Sequence, residues 1–118
     1  MLGFGRNLVK CNMLKTGNIF DSIPSKFNDE VFGSIVDKDG IKIERILSAG
    51  HTSPEQGWYD QDQDEWVIVI QGGATIEFDD GRLSTLEQGD YINIPSRTKH
   101  KVVWTDPEIV TVWLAVFY

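Results

Sequence analysis

Gly57-Trp58-Tyr59-Asp60-Gln61-Asp62-Gln63-Asp64-Glu65-Trp66-Val67-Ile68-Val69-Ile70-Gln71-Gly72 changes character halfway along. Its first half is polar and acidic. Its second half, Trp66 to Ile70, is a five-residue apolar run rich in β-branched side chains, followed by Gly72-Gly73. Such a run reads as a short strand buried on both faces, closed by a turn. Glu65 stands where the polar segment enters the dry strand. A carboxylate there must be paired, protonated or bound to a cation.

Working outward, the same grammar continues to the C-terminus. Ile41 to Leu47 alternates, with Ile41 and Ile43 on one face. Ala74 to Phe78 follows Gly72-Gly73, with Ile76 and Phe78 on one face. Asp79-Asp80-Gly81 is a hairpin signal. Arg82–Leu86, Tyr91–Ile94, Lys99–Trp104 and Ile109–Tyr118 read as further strands between Gly-, Asp- and Pro-containing turns. Seven or more short strands at this spacing predict an all-β sandwich or barrel. Upstream, Phe27, Val31, Phe32 and Ile35 fall at offsets of three and four, which predicts one short helix between Phe20 and Val36. Residues 1–18 read as an irregular arm. The expected organisation is one domain, with an arm and helix over 1–40 and a barrel over 41–118.

Length and composition bound the function. A chain of 118 residues holds one domain with a real core. The net charge of −7 argues against nucleic acid and against anionic membrane surfaces, which select basic faces. A single cysteine, Cys11, excludes an internal disulfide and a thiolate zinc cluster, and points to a reducing, cytoplasmic setting. Neither a signal peptide nor a membrane span is legible. The apolar strand 109–118 predicts a sheet face or edge that a homodimer would cover.

The candidate metal ligands are few. His100 opens the apolar strand His-Lys-Val-Val-Trp, as Glu65 opens the other. At equivalent ends of two strands of a sandwich they would meet inside its mouth, although a lone His beside a lone Glu is more often a hydrogen-bonded pair. His51 lies in a loop and reads as a rim residue.

The spacing adds to this. Glu65 is followed by six residues and Gly72. Gly89 is followed by five residues and Pro95, with His100 five further on. These segments resemble the two signature segments of the cupin family over roughly residues 41–118. The resemblance implies a double-stranded β-helix, or jelly-roll, barrel. The family's first segment carries two histidines one residue apart, three or four residues before the glutamate. Here both histidines are missing. A three-residue gap places Tyr59 and Gln61 there; a four-residue gap places Trp58 and Asp60. Arg97 replaces the second segment's glycine, and Trp104 its asparagine.

The resemblance thus implies a divalent metal held by Glu65, His100 and either Gln61 or Asp60. Oxygen-rich ligation suits manganese, iron(II), magnesium or zinc, and these residues do not distinguish Mn, Fe, Zn and Ni. Tyr59, Trp104 and Arg45 are the candidate contacts for a small organic ligand, Arg45 as an anchor for an anion. The implied activities are those of a metal-dependent oxygenase, isomerase or lyase. The alternative is a metal-free, non-catalytic ligand-binding or dimeric interaction module.

Overall fold

Two antiparallel sheets carry the chain, and every strand predicted from Ile41 onward is found. The computed structural model describes residues 14–118. Most of the expected arm, with Cys11, lies outside the described residues. In chain order the strands are β1 (Val31–Lys38), β2 (Ile41–Ser48), β3 (Glu65–Gln71), β4 (Gly73–Phe78), β5 (Leu83–Glu87), β6 (Tyr91–Ile94), β7 (His100–Thr105) and β8 (Thr111–Phe117). The larger sheet has the order β1-β2-β8-β3-β6, the smaller β5-β4-β7. Val67, Val69, Trp113 and Ala115 of the first sheet pack with Ala74, Ile76, Phe78 and Leu86 of the second in one core cluster.

No helix is present among the described residues. The stretch expected to be helical supplies β1, which forms a hairpin with β2 through Asp39-Gly40. The reason is local. Val31-Phe32-Gly33-Ser34-Ile35-Val36 is β-branched and aromatic with a central glycine, a composition that suits a strand. A bulge between Ser34 and Val36 leaves Ile35 unpaired. That extra residue breaks the two-residue period and produces the three- and four-residue offsets that mimic a helix.

β3 alternates more sharply than expected. Val67 and Val69 are buried, whereas Trp66, Ile68 and Ile70 are half-buried. Strand periodicity therefore divides the run between two faces. Glu65 has the parity of Val67 and Val69, so it faces inward. β8 lies between β2 and β3, so the apolar strand 109–118 is interior to the sheet and leaves no free edge. Its Ala115 pairs with Glu44 of β2 and Val67 of β3. This small residue, between Trp113 and Phe117, leaves room above the sheet floor.

The outer face of the larger sheet is also partly covered. Leu47 and Val112 pair across β2 and β8 on that face and are fully buried. Arg45, of the same parity, donates from Nη1 to the carbonyl oxygens of Ile19 (3.0 Å) and Asp21 (2.5 Å). It ties the segment before β1 to the sheet.

Candidate functional site: a Glu–His–Gln cluster at the mouth of an aromatic cavity

Strand parity converges Glu65, His100, Gln61 and Tyr59. On β7, His100 pairs with Phe78 and Val102 with Ile76, both core residues, so His100 and Val102 face inward. The other edge of β7 is bridged by Ser53, opposite Val102, and by Tyr59, opposite His100. Opposed residues of an antiparallel pair share a face. Tyr59 therefore points in, and so does Gln61, two residues on. Asp60, between them, points out.

Side-chain contacts follow the same parity. Gln61 Nε2 donates to Glu65 Oε1 at 2.8 Å, and Glu65 Oε1 lies 3.4 Å from His100 Nε2. The Tyr59 ring lies 5.6 Å from the His100 ring. Asp60 instead pairs with Arg97, Nε to Oδ1 at 3.1 Å, and is not part of the cluster. Arg97 also pairs with Asp62 at 3.0 Å, and its backbone N–H donates to the Gln61 carbonyl at 2.7 Å. Arg97 adopts φ 59°, which explains why the family pattern has glycine there. The left-handed region costs an L-residue about 1–2 kcal/mol. Its bonds to residues 60–62 offset that cost and hold the segment carrying Gln61.

Two of the ligand contacts expected from sequence lie elsewhere. Arg45 is on the opposite face of the sheet, as its carbonyl contacts require. Trp104 is also turned away. β7 bulges at Val103, because Ile76 pairs with Val102 and Thr75 with Trp104. Plain alternation from His100 would have put Trp104 inside; the extra residue puts it on the outer face, 44% exposed. His51 clamps loops: Nδ1 accepts from the Ala49 N–H, Nε2 meets the Asn28 carbonyl at 2.7 Å, and its ring stacks on Phe27.

The cluster opens into a cavity of about 540 Å³. Phe32, Ile46, Val67, Ile94, Val102, Trp113 and Phe117 form its apolar walls, and Glu30, Lys42, Glu44 and Ser53 add polar groups. Sequence reasoning missed Glu30 and Glu44. Glu30 sits in the stretch assigned to a helix. The signal for Glu44 was its shared parity with Lys42 and Ile46, overlooked in favour of the Ile41/Ile43 face. Glu30 Oε2 accepts from Ser48 Oγ at 2.6 Å, and Ser48 Oγ accepts from Trp113 Nε1 at 3.1 Å.

The electrostatics follow from this enclosure. His100 is 4% exposed and Glu65 9%. Burial alone would lower the His100 pKa, but the hydrogen bond and charge of Glu65 and the bond to the Thr98 carbonyl outweigh it, and the pKa is raised. A carbonyl only accepts, so His100 Nδ1 carries a proton toward Thr98 at 2.8 Å, leaving Nε2 to Glu65. Burial, opposed by the Ser53 hydroxyl and reinforced by Glu30, Glu65 and Glu44, raises the Tyr59 pKa, so the phenol is neutral and able to donate.

A raised folded pKa stabilises the protein fully below the unfolded value, about 6.5 for histidine. That contribution is lost as pH rises through the folded pKa. The metal-free protein should therefore lose melting temperature as the pH is raised from about 6.5, and His100→Gln should flatten this slope. Differential scanning calorimetry with chelator present is the check; equal slopes in both proteins would contradict the pairing.

The cluster fits a divalent cation by donor spacing and by the Thr98 carbonyl that holds His100 Nδ1. Two ligands bound at about 2.0–2.2 Å to one ion stand roughly 3.0–3.5 Å apart. Glu65 Oε1 and His100 Nε2 are 3.4 Å apart. A ring N–H held by a backbone carbonyl is the usual support of a metal-ligating histidine. Turning the Gln61 amide by half a turn presents its oxygen in place of its nitrogen. Among the described residues, no group of three or more His, Cys, Asp and Glu side chains gathers to hold a metal. The third donor is thus a neutral amide, which binds less tightly than imidazole or carboxylate.

The comparisons agree with this architecture. A family model described as a cupin domain matches residues 45–117. A candidate mannose-6-phosphate isomerase from Ralstonia eutropha JMP134 is 43% identical, with a TM-score of 0.83 over 88% of this chain and 97% of that one. A cupin superfamily protein from Desulfitobacterium hafniense DCB-2 is 19% identical, with a TM-score of 0.67 over 80% of this chain and 82% of that one. An RmlC-like cupin from Desulfovibrio desulfuricans is 16% identical, with a TM-score of 0.69 over 88% and 96%. A search of curated proteins gave no match. Barrel, motif spacing and family model concur: the chain belongs to the cupin family.

Proposed function

We propose that the protein holds a divalent cation through Glu65, His100 and Gln61 and binds a small organic ligand beside it in the cavity. The observation that carries this reading is the meeting of three donors, Gln61 and Glu65 from one segment and His100 from another, at the mouth of an aromatic, mostly apolar cavity, the usual form of a small-molecule site. A cation there would supply Lewis acidity to a ligand oxygen. The neutral Tyr59 phenol stands ready to donate to that ligand, while Glu65 and His100 exclude a purely apolar one.

Isomerase-type chemistry is the part of the 43%-identical relative's description that suits this site. Its phosphate is not supported. Among the lining residues the cations are Lys42 and His100, and Lys42 is paired with Glu44 at 3.3 Å. Arg45 and Arg97, the residues suited to a phosphate fork, are engaged elsewhere. Protein purified without a histidine tag should carry, or take up, about one divalent ion per chain by elemental analysis. Adding a chelator should then lower the melting temperature. No uptake and an unchanged melting temperature would favour the metal-free binding module.

The reading includes a homodimer in a reducing, cytoplasmic compartment. Among the described residues no helix is long and apolar enough to cross a membrane. β1 is an edge strand that carries no charge from Val31 to Val36. Phe32 is 54% and Ile35 51% exposed on it. Exposed apolar side chains of this kind suit contact with a second copy. Light scattering at micromolar concentration should find a dimer, and Ile35→Lys should shift it toward monomer; a monomeric parent protein would contradict the proposal.

A further inference from the structure

Two strands from Glu65 on the same sheet, the cavity has a second polar group that the metal reading leaves unused. Glu44 is 7% exposed and shares the inward parity of Ile46. Its Oε2 lies 3.3 Å from Lys42 Nζ, whose side chain is 45% exposed. Its Oε1 receives no hydrogen bond among the described residues. A carboxylate this buried is costly unless fully paired, and here its partner is a lysine free to swing into solvent. Glu30 also lines the cavity, with one oxygen engaged by Ser48, four residues beyond Glu44 on β2. Phe32, Tyr59 and Trp113 line the same cavity.

We infer that Glu44 forms a subsite for an alkylammonium group, so that the ligand of the proposed site is an amine. The inference rests on that site for the ligand's reacting end, but not on the cation. Lys42 Nζ occupies the place of the ligand's ammonium in the free protein. A ligand ammonium displaces it and gains the buried Glu44 carboxylate. β2 and β3 flank β8, so the two ends of the cavity are two strand spacings, about 10 Å, apart. An amine bearing an oxygen several bonds away reaches both. An anionic group beside Glu44 would face that buried carboxylate.

The test uses hexylammonium, hexanol and hexanoate on the full chain with chelator present, reading the Trp113 indole N–H by NMR. Hexylammonium should shift that resonance saturably, and hexanoate should not. Glu44→Gln keeps the shape and should weaken hexylammonium at least about tenfold, while Lys42→Gln removes the internal rival and should strengthen it severalfold. The opposite signs separate recognition from loss of fold. Divalent-ion uptake by Glu44→Gln should equal that of the parent protein, so failure of the ammonium subsite and failure of the metal site are distinguishable. Hexanoate binding as well as hexylammonium, no hexylammonium binding, or Glu44→Gln binding it unchanged would each overturn the inference.

Discussion

Glu65→Gln and His100→Ala are each expected to abolish stoichiometric divalent-ion binding, with affinity falling by more than about 100-fold. The reason lies in the poverty of the donor set. With Gln61 as the neutral third donor, Glu65 and His100 supply, among the described residues, the one charged oxygen and the one imidazole of the cluster. Altering a residue that merely supports a metal ligand typically costs 10–100-fold, and removing one of two strong donors costs more. Glu65→Gln is near-isosteric, so its fold should survive. Gln61→Ala should weaken binding by a smaller factor. Metal titration by calorimetry ranks the three. Parental affinity in Glu65→Gln would exclude the carboxylate as a ligand.

Gly72→Ala is expected to cause the largest loss of stability of any single methyl added at a described glycine. Gly72 has φ +88°, and a Cβ there would lie 2.5 Å from Thr111 Oγ1 and 2.7 Å from Thr111 Cα. The second contact is backbone, so relief requires β8 to move. The left-handed conformation costs about 1–2 kcal/mol. Thr111 Oγ1 also bonds the backbone N–H and C=O of Gly73, at 3.2 and 3.0 Å, and displacing it forfeits roughly 1 kcal/mol for each. A total near 3–5 kcal/mol lowers the melting temperature of a chain this size by about 10–20 °C. Gly81, with φ +92° and nothing within 4 Å of its Cβ position, is the control. Gly81→Ala should bear the conformational cost alone. Equal losses in the two variants would show that Thr111 yields freely.

What could be read from the sequence divides along a physical line. Local turn chemistry and two-residue alternation are encoded residue by residue. Asp79-Asp80-Gly81 therefore announced its hairpin, and the strands from Ile41 onward were found where expected. The pairing of Glu65 with His100 followed from motif spacing. Bulges are not encoded this way. One at Ile35 made a strand look helical; one at Val103 turned Trp104 from the cavity to the surface. The choice between Gln61 and Asp60 required knowing that Tyr59 bridges His100, a long-range contact that fixes parity for the whole polar segment. Arg45 failed as an anion anchor for the same reason. Its parity on β2 sets it on the outer sheet face, and Glu44 takes the inner one.

The inward-facing His100 reports on the cluster through the protonation of its two ring nitrogens. In nitrogen-15 NMR of the metal-free protein, His100 Nδ1 should be protonated toward Thr98. Adding zinc at neutral pH should move the Nε2 resonance to a metal-bound value while Nδ1 keeps its proton. An Nε2 resonance that ignores saturating zinc, with His100 still paired to Glu65, would contradict the claim that the cluster is a metal centre.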